Sequence, residues 1–168
     1  MTNYLPGQEN INWQWNEEDT AGSVPQAEDG SSFVFAQIVD GEMVELKRLR
    51  NTGIPVWTRR IPVSRANSAV LLHRAGKLYA ALYSTIVTGC RSLALNATSG
   101  EVLWDTPLKG LGPLHHSKYS NFVQMRFIDE RLAIFGKESS GKYVEVLDQN
   151  SGRMLFHQCF LTTGKGEC

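Results

Sequence analysis

Three times along this chain a tight turn closing on glycine is followed, four residues later, by a large aromatic: Gly53 and Trp57, Gly100 and Trp104, Gly152 and Phe156. The glycines are 47 and 52 residues apart. A period of that length, with β-rich segments on both sides of each turn, marks a repeated antiparallel unit that must stack on a neighbour to bury its faces. The two clearest copies run Leu95-Asn96-Ala97-Thr98-Ser99-Gly100-Glu101-Val102-Leu103-Trp104 and Leu147-Asp148-Gln149-Asn150-Ser151-Gly152-Arg153-Met154-Leu155-Phe156. In each, Asn96 or Asp148 is placed to accept backbone amides two or three residues on, and the glycine supplies the positive φ that closes the hairpin. The aromatic is expected to carry its large apolar area into the junction between units. The first copy departs from this pattern: counting back from Gly53 puts Leu49 where Asn96 stands, and Pro55 falls inside the turn.

Alternating β-rich runs separated by turn residues continue from Ser31 onward, and no helical period lasts long enough to compete. The expected fold is an all-β partial β-propeller of about three four-stranded antiparallel blades, at about 31–65, 66–112 and 120–163, preceded by an arm over 1–30. Blade two is complete, with strands at Ala69–His73, Leu78–Val87, Arg91–Leu95 and Val102–Leu108. Blade three repeats it at Phe122–Ile128, Arg131–Gly136, Lys142–Leu147 and Met154–Leu161. Blade one offers only Phe33–Ile38, Met43–Leu49 and Val56–Val63, and gains a fourth strand only if the island Ile11 to Trp15 supplies it. At 168 residues, 42% of them apolar, the chain is one domain with enough material for a core.

Net charge is zero, yet its distribution is lopsided. Met1 to Glu45 holds nine acids and no Lys or Arg, whereas Lys47 to Arg91 holds nine bases and no acid. Such polarity steers charged partners, and its plainest use is to lay the acidic arm over the basic blade of the same chain. Cysteines at 90, 159 and 168 show no metal-ligand spacing, and a Cys159–Cys168 bridge is left open. No run of 18 apolar residues is present, so no membrane span is expected, and Met1 to Trp15 lacks the pattern of a secretory leader. The compartment stays open: periplasmic if a leader is removed, cytoplasmic otherwise.

The segments from Asn96 to Trp104 and from Asp148 to Phe156 resemble the repeat of quinoprotein-type β-propellers, whose blades carry an Asp-x-x-Thr-Gly-x-x-x-Trp docking motif between their last two strands. The likeness extends over roughly 31–163. It implies stacked blades, with each docking aromatic flat against the neighbouring turn. Family enzymes that bind pyrroloquinoline quinone have more blades, a pair of adjacent cysteines and a calcium-binding carboxylate cluster; no two cysteines are adjacent here. No cofactor and no metal are therefore assigned. Propellers need at least four blades to close a ring. Three must be covered at their ends by the arm or a partner, or must assemble into something larger through sheet edges. A partial propeller of this size also resembles bacterial immunity proteins that block cell-wall amidase toxins of the type VI secretion system, which insert a serine-bearing loop into the enzyme's cleft. The matching residues here are Ser139 and Ser140, between the second and third strands of blade three.

That likeness makes Ser139 and Ser140 candidate partner-binding residues, although an ordinary hairpin tip explains them equally well. His115 and His116 are further candidates because they sit in the longest linker between blades, where binding residues concentrate. Adjacent residues on an extended chain point opposite ways, so both histidines on one metal is not expected. Nothing resembles a Gly-x-Ser-x-Gly elbow or a complete phosphate loop, and no catalytic residue is assigned. Arg48, Arg50, Arg59, Arg60 and Arg65 form a basic run, but interleaved aromatics are missing and Arg59 and Arg60 should face opposite sides, which argues against nucleic acid. The reading is a non-catalytic, protein-binding partial propeller, an inhibitor or immunity protein that occludes a partner enzyme. Its rivals are a fragment or subunit of a larger quinoprotein-like propeller and an arginine-mediated phosphate or nucleic-acid binder.

Overall fold

The computed structural model describes residues 25–37, 42–63, 66–84, 90–109, 122–138 and 141–161. Among them every regular element is a strand, and the strands form three separate antiparallel sheets joined in chain order. Blade one holds β1 (Ser32–Gln37), β2 (Met43–Leu49) and β3 (Pro55–Pro62). Blade two holds β4 (Ala66–Arg74), β5 (Lys77–Ser84), β6 (Arg91–Asn96) and β7 (Val102–Pro107). Blade three holds β8 (Phe122–Ile128), β9 (Arg131–Glu138), β10 (Gly141–Asp148) and β11 (Met154–Leu161). Each sheet is a meander whose spatial order follows the chain, as short hairpin connections require. The first strands adjoin, β1 beside β4 and β4 beside β8, so the blades stack face to face about a common inner side.

The hairpins form where the turn chemistry dictates. Ala75 and Gly76 take φ of 50° and 74°, the paired left-handed conformation of a two-residue turn that matches strand twist. Asp129, a residue that tolerates this region, takes φ 55° between β8 and β9.

All three blades share one irregularity. The ladder between the last two strands slips just before the docking turn, between Arg48 and Leu49, between Ala94 and Leu95, and between Val146 and Leu147. The aromatic then lies opposite Arg48, Ala94 or Val146. Blade one is thus a true copy in spite of its divergent sequence, and its turn differs in one respect. Gly53 N–H donates to Arg50 O, three residues back, whereas Gly100 donates to Asn96 and Gly152 to Asp148, four back. The first turn is one residue shorter, Arg50 rather than Leu49 holds the place of Asn96, and Pro55 opens β3 instead of lying in the turn.

Two apolar layers hold the blades together. Between blades one and two, Phe33, Val44, Leu46, Trp57 and Ile61 meet Leu78, Ala80, Leu82, Leu93 and Leu95. Between blades two and three, Leu72, Tyr79, Ala94 and Trp104 meet Met125, Leu132, Ile134, Tyr143 and Leu147. Removing one such aromatic from a packed layer costs about 3–5 kcal/mol. The buried Glu145 accepts the Lys109 amide at 2.5 Å, which ties the exit of β7 to blade three. The far face of blade three carries a third buried cluster, Ala133, Phe135 and Val144, with Val146 against it.

Among the described residues blade one has three strands, and the position without one is the innermost. Gln26 bridges antiparallel to Ser32 and Phe33 N–H donates to Pro25 O, so the chain folds back along the start of β1 where a fourth strand would begin. The island Ile11 to Trp15 lies outside the described residues. Of the expected contact between acidic arm and basic blade, 25–30 provide one clear instance. Asp29 pairs with Arg48 at 3.0 Å, and Arg48 also donates to Ser31 Oγ and Ala97 O.

Candidate functional site

The glycine turns determine where each aromatic can rest. Gly100 has φ +73° and Gly152 φ +72°, and neither has a Cβ to hold a ring away. Trp57 of blade one therefore lies flat on Gly100 of blade two, so close that a Cβ there would meet ring carbons at 2.6–2.9 Å. Trp104 of blade two lies on Gly152 of blade three in the same way, at 2.5–2.8 Å. Each indole N–H donates to the carbonyl three residues before its glycine, Trp57 to Ala97 at 2.9 Å and Trp104 to Gln149 at 3.0 Å. Two residues beyond each ring a further side chain donates to the carbonyl of the glycine itself: Arg59 Nε to Gly100 O and Thr106 Oγ1 to Gly152 O. One junction thus consists of a wedge, a glycine seat and two hydrogen bonds, and the chain makes it twice.

The turns that receive the wedges are held from within by side-chain caps. Asn96 Oδ1 accepts the amides of Thr98 and Ser99 at 2.9 and 3.0 Å, and Asp148 Oδ1 accepts those of Asn150 and Ser151, both at 2.9 Å. The Ser151 amide, and after it the Asn150 amide, holds the Asp148 carboxyl below the usual aspartate range, because these donors favour the ionised form. Asp29 is lowered likewise, chiefly by the Ser31 hydroxyl.

At the two ends of the array no other blade among the described residues completes this junction. Trp57 and Trp104 are 9% and 8% exposed, but Phe156 is 42% exposed, so the expectation that it fills an interface between blades does not hold. The reason is its position: no blade follows blade three among the described residues. Gln158, which corresponds to Arg59 and Thr106, is exposed as well. At the other end no atom of the described residues lies within 4 Å of a Cβ built on Gly53, although its φ of +84° matches the occupied seats. Leu155, Ile54 and Val56 add exposed apolar surface around the two open positions.

Ser139, Ser140, His115 and His116 lie outside the described residues. The structural motif residues Gly53, Trp57, Asn96, Gly100, Trp104, Asp148, Gly152 and Phe156 all fall at equivalent positions of their blades. Thr106 and Gln158 are not named by the sequence reading, and Arg59 enters it only as part of a basic run, though a hydrogen-bonding side chain six residues after each glycine is a legible signal. Among the described residues no group of three or more His, Cys, Asp and Glu could hold a metal ion.

No protein-family model matches the chain, and no curated protein matches it in sequence. Among solved structures it is similar to the quinohemoprotein alcohol dehydrogenase from Comamonas testosteroni, with a TM-score of 0.54 at 18% identity. The match covers 84% of this chain and 22% of that enzyme. At that identity the likeness concerns the fold: three stacked antiparallel sheets of three or four strands, arranged as in a propeller.

Proposed function

We propose that this chain is a non-catalytic, protein-binding propeller segment whose contact surface lies at the ends of its blade array. The observation that carries this reading is Phe156: a docking aromatic of the type seated twice inside the molecule is left 42% exposed at the third position. An exposed aromatic with a polar side chain beside it is the anchor a protein interface uses. A finer form of the proposal is an inhibitor that inserts Ser139 and Ser140, between β9 and β10, into the cleft of an enzyme; the immunity-protein resemblance is its support. The low-identity likeness to a quinohemoprotein dehydrogenase favours a second reading, a piece of a larger quinoprotein-like propeller.

Tagged full-length chain purified from its native cell tests the proposal. The expected result is a stoichiometric protein partner, another molecule or a second copy, that Phe156→Asp releases while leaving the melting temperature unchanged. Replacing Ser139 and Ser140 with bulky residues should likewise weaken binding without loss of stability if the loop enters a cleft. Purification of the chain with no partner of either kind refutes the reading. Dye reduction dependent on added pyrroloquinoline quinone and calcium replaces it with the enzyme form.

A further inference from the structure

We infer that the outer strands of the three blades together form a docking surface for an acidic segment of another protein that carries large apolar side chains. The inference rests on the protein-binding reading above and names the chemistry of the partner. Seven large apolar side chains are exposed among the described residues, and six of them stand at the starts of β3, β7 and β11: Ile54 and Val56, Val102 and Leu103, Leu155 and Phe156. The residue just ahead of each docking aromatic is exposed and apolar in every blade, Val56 at 40%, Leu103 at 44% and Leu155 at 40%. Side chains alternate along a strand, so each of these points away from the ring that follows it. A lone exposed apolar residue carries no meaning, but six gathered on three equivalent strand starts mark a contact site.

The docking junctions hold these strand starts side by side. Trp57 lies on the Gly100 turn that leads into β7, and Trp104 lies on the Gly152 turn that leads into β11. β3, β7 and β11 are the last strands of their sheets, away from the common inner side, so the row runs along the outer rim and does not depend on what stands beyond blade one or blade three. A partner reads this rim through side chains. β3 begins and ends with proline, Pro55 and Pro62, and β7 ends with Pro107, and proline has no N–H to offer a strand laid along the edge.

Charge selects the partner. Arg50, Arg59, Arg60 and Arg153 are exposed beside the row, against the acids Glu101 and Asp105. Asp105 is already paired with Arg91 at 2.7 Å, and Glu45, which lies 3.9 Å from Arg60, also faces Lys47 at 3.7 Å. The surplus is positive, and exposed charge of one sign recruits the opposite sign and fixes the register of an apolar contact. Nucleic acid is set aside because the row offers a base only one ring to stack on, Phe156. The complementary ligand is therefore a chain segment with two or more large apolar anchors among Asp and Glu.

Selection of displayed random peptides on the immobilised full chain reads the outcome. The expected pool carries large apolar residues flanked by Asp and Glu, and its binding weakens as salt rises, since exposed charges are screened. Val56→Asp and Leu103→Asp should each raise the Kd of a selected peptide about tenfold or more, the usual effect of losing an interface anchor. Arg60→Glu and Arg153→Glu should weaken it as well, whereas Ile128→Asp, at 40% as exposed as Val56 but off the row, should change nothing. Melting curves check each variant, and Leu103→Ser replaces Leu103→Asp if the latter fails to melt cooperatively. No enriched peptide, a pool without acids, or binding indifferent to Val56→Asp and Leu103→Asp overturns the inference. Peptides released by Phe156→Asp alone also overturn it but leave the protein-binding reading at the end of the array standing; no peptide and no copurifying partner removes both.

Discussion

If the docking aromatics hold the blades by lying on glycine, then the same substitution at three equivalent glycines should cost very different amounts. Gly53, Gly100 and Gly152 share a left-handed φ of +84°, +73° and +72°. Alanine at any of them incurs about 1–2 kcal/mol for the backbone alone. At Gly53 nothing more is lost among the described residues, because the new methyl meets none of their atoms within 4 Å. At Gly152 it would sit 2.5 Å from Trp104 Cδ2 and 2.6 Å from Cε3, closer than carbon atoms approach, so the indole must lift. Overpacking of that kind costs about 1–3 kcal/mol, and loss of the Trp104 bond to Gln149 O adds about 1 kcal/mol. Gly152→Ala and Gly100→Ala should therefore exceed Gly53→Ala by about 2–4 kcal/mol. For a domain of this size each kcal/mol lowers Tm by about 2–4 °C, which puts the difference near 5–15 °C. Scanning calorimetry of the three variants beside the parent reads the difference. Equal losses at all three glycines would refute the seating of rings on turns.

Other perturbations separate the remaining contributions. Trp104→Phe keeps the ring over Gly152 and deletes only its N–H donor, so chemical denaturation should report a loss of about 1 kcal/mol. Arg48→Met removes the donors to Ser31 Oγ, Ala97 O and Asp29, for a loss of about 2 kcal/mol, and hydrogen exchange should show faster opening of the amides of Ala27 and Phe33. Because Asp148 titrates lower in the folded chain than in the unfolded one, its contribution is complete above the unfolded value of about 3.9 and is lost as pH falls through the lowered folded value. Asp148→Asn keeps the Oδ1 acceptor, as Asn96 shows, so melting curves taken down an acid series should fall less steeply for the variant than for the parent. Identical acid limbs would show that the cap contributes nothing through its charge.

Local chemistry left a clear imprint on the primary structure. Asn96, Asp148 and the docking glycines announce their turns because the bonds involved span two to four residues, and any chain carrying those side chains at that spacing closes the same way. The strand runs and the number of blades were legible for a similar reason: alternation and repeat period are properties of neighbours along the chain. Leu49 misled as the partner of Asn96 because a one-residue deletion in a turn does not disturb the spacing from glycine to aromatic, and only the hydrogen bond from Gly53 to Arg50 reveals it. Tertiary structure alone decided which rings are covered. Trp57, Trp104 and Phe156 are interchangeable as motif residues, but a wedge is buried only when another blade brings a glycine turn beneath it some 45 residues away in the chain. Phe156 has no such blade ahead of it among the described residues, and that difference in three-dimensional neighbours converts a packing residue into the exposed anchor of a proposed interface.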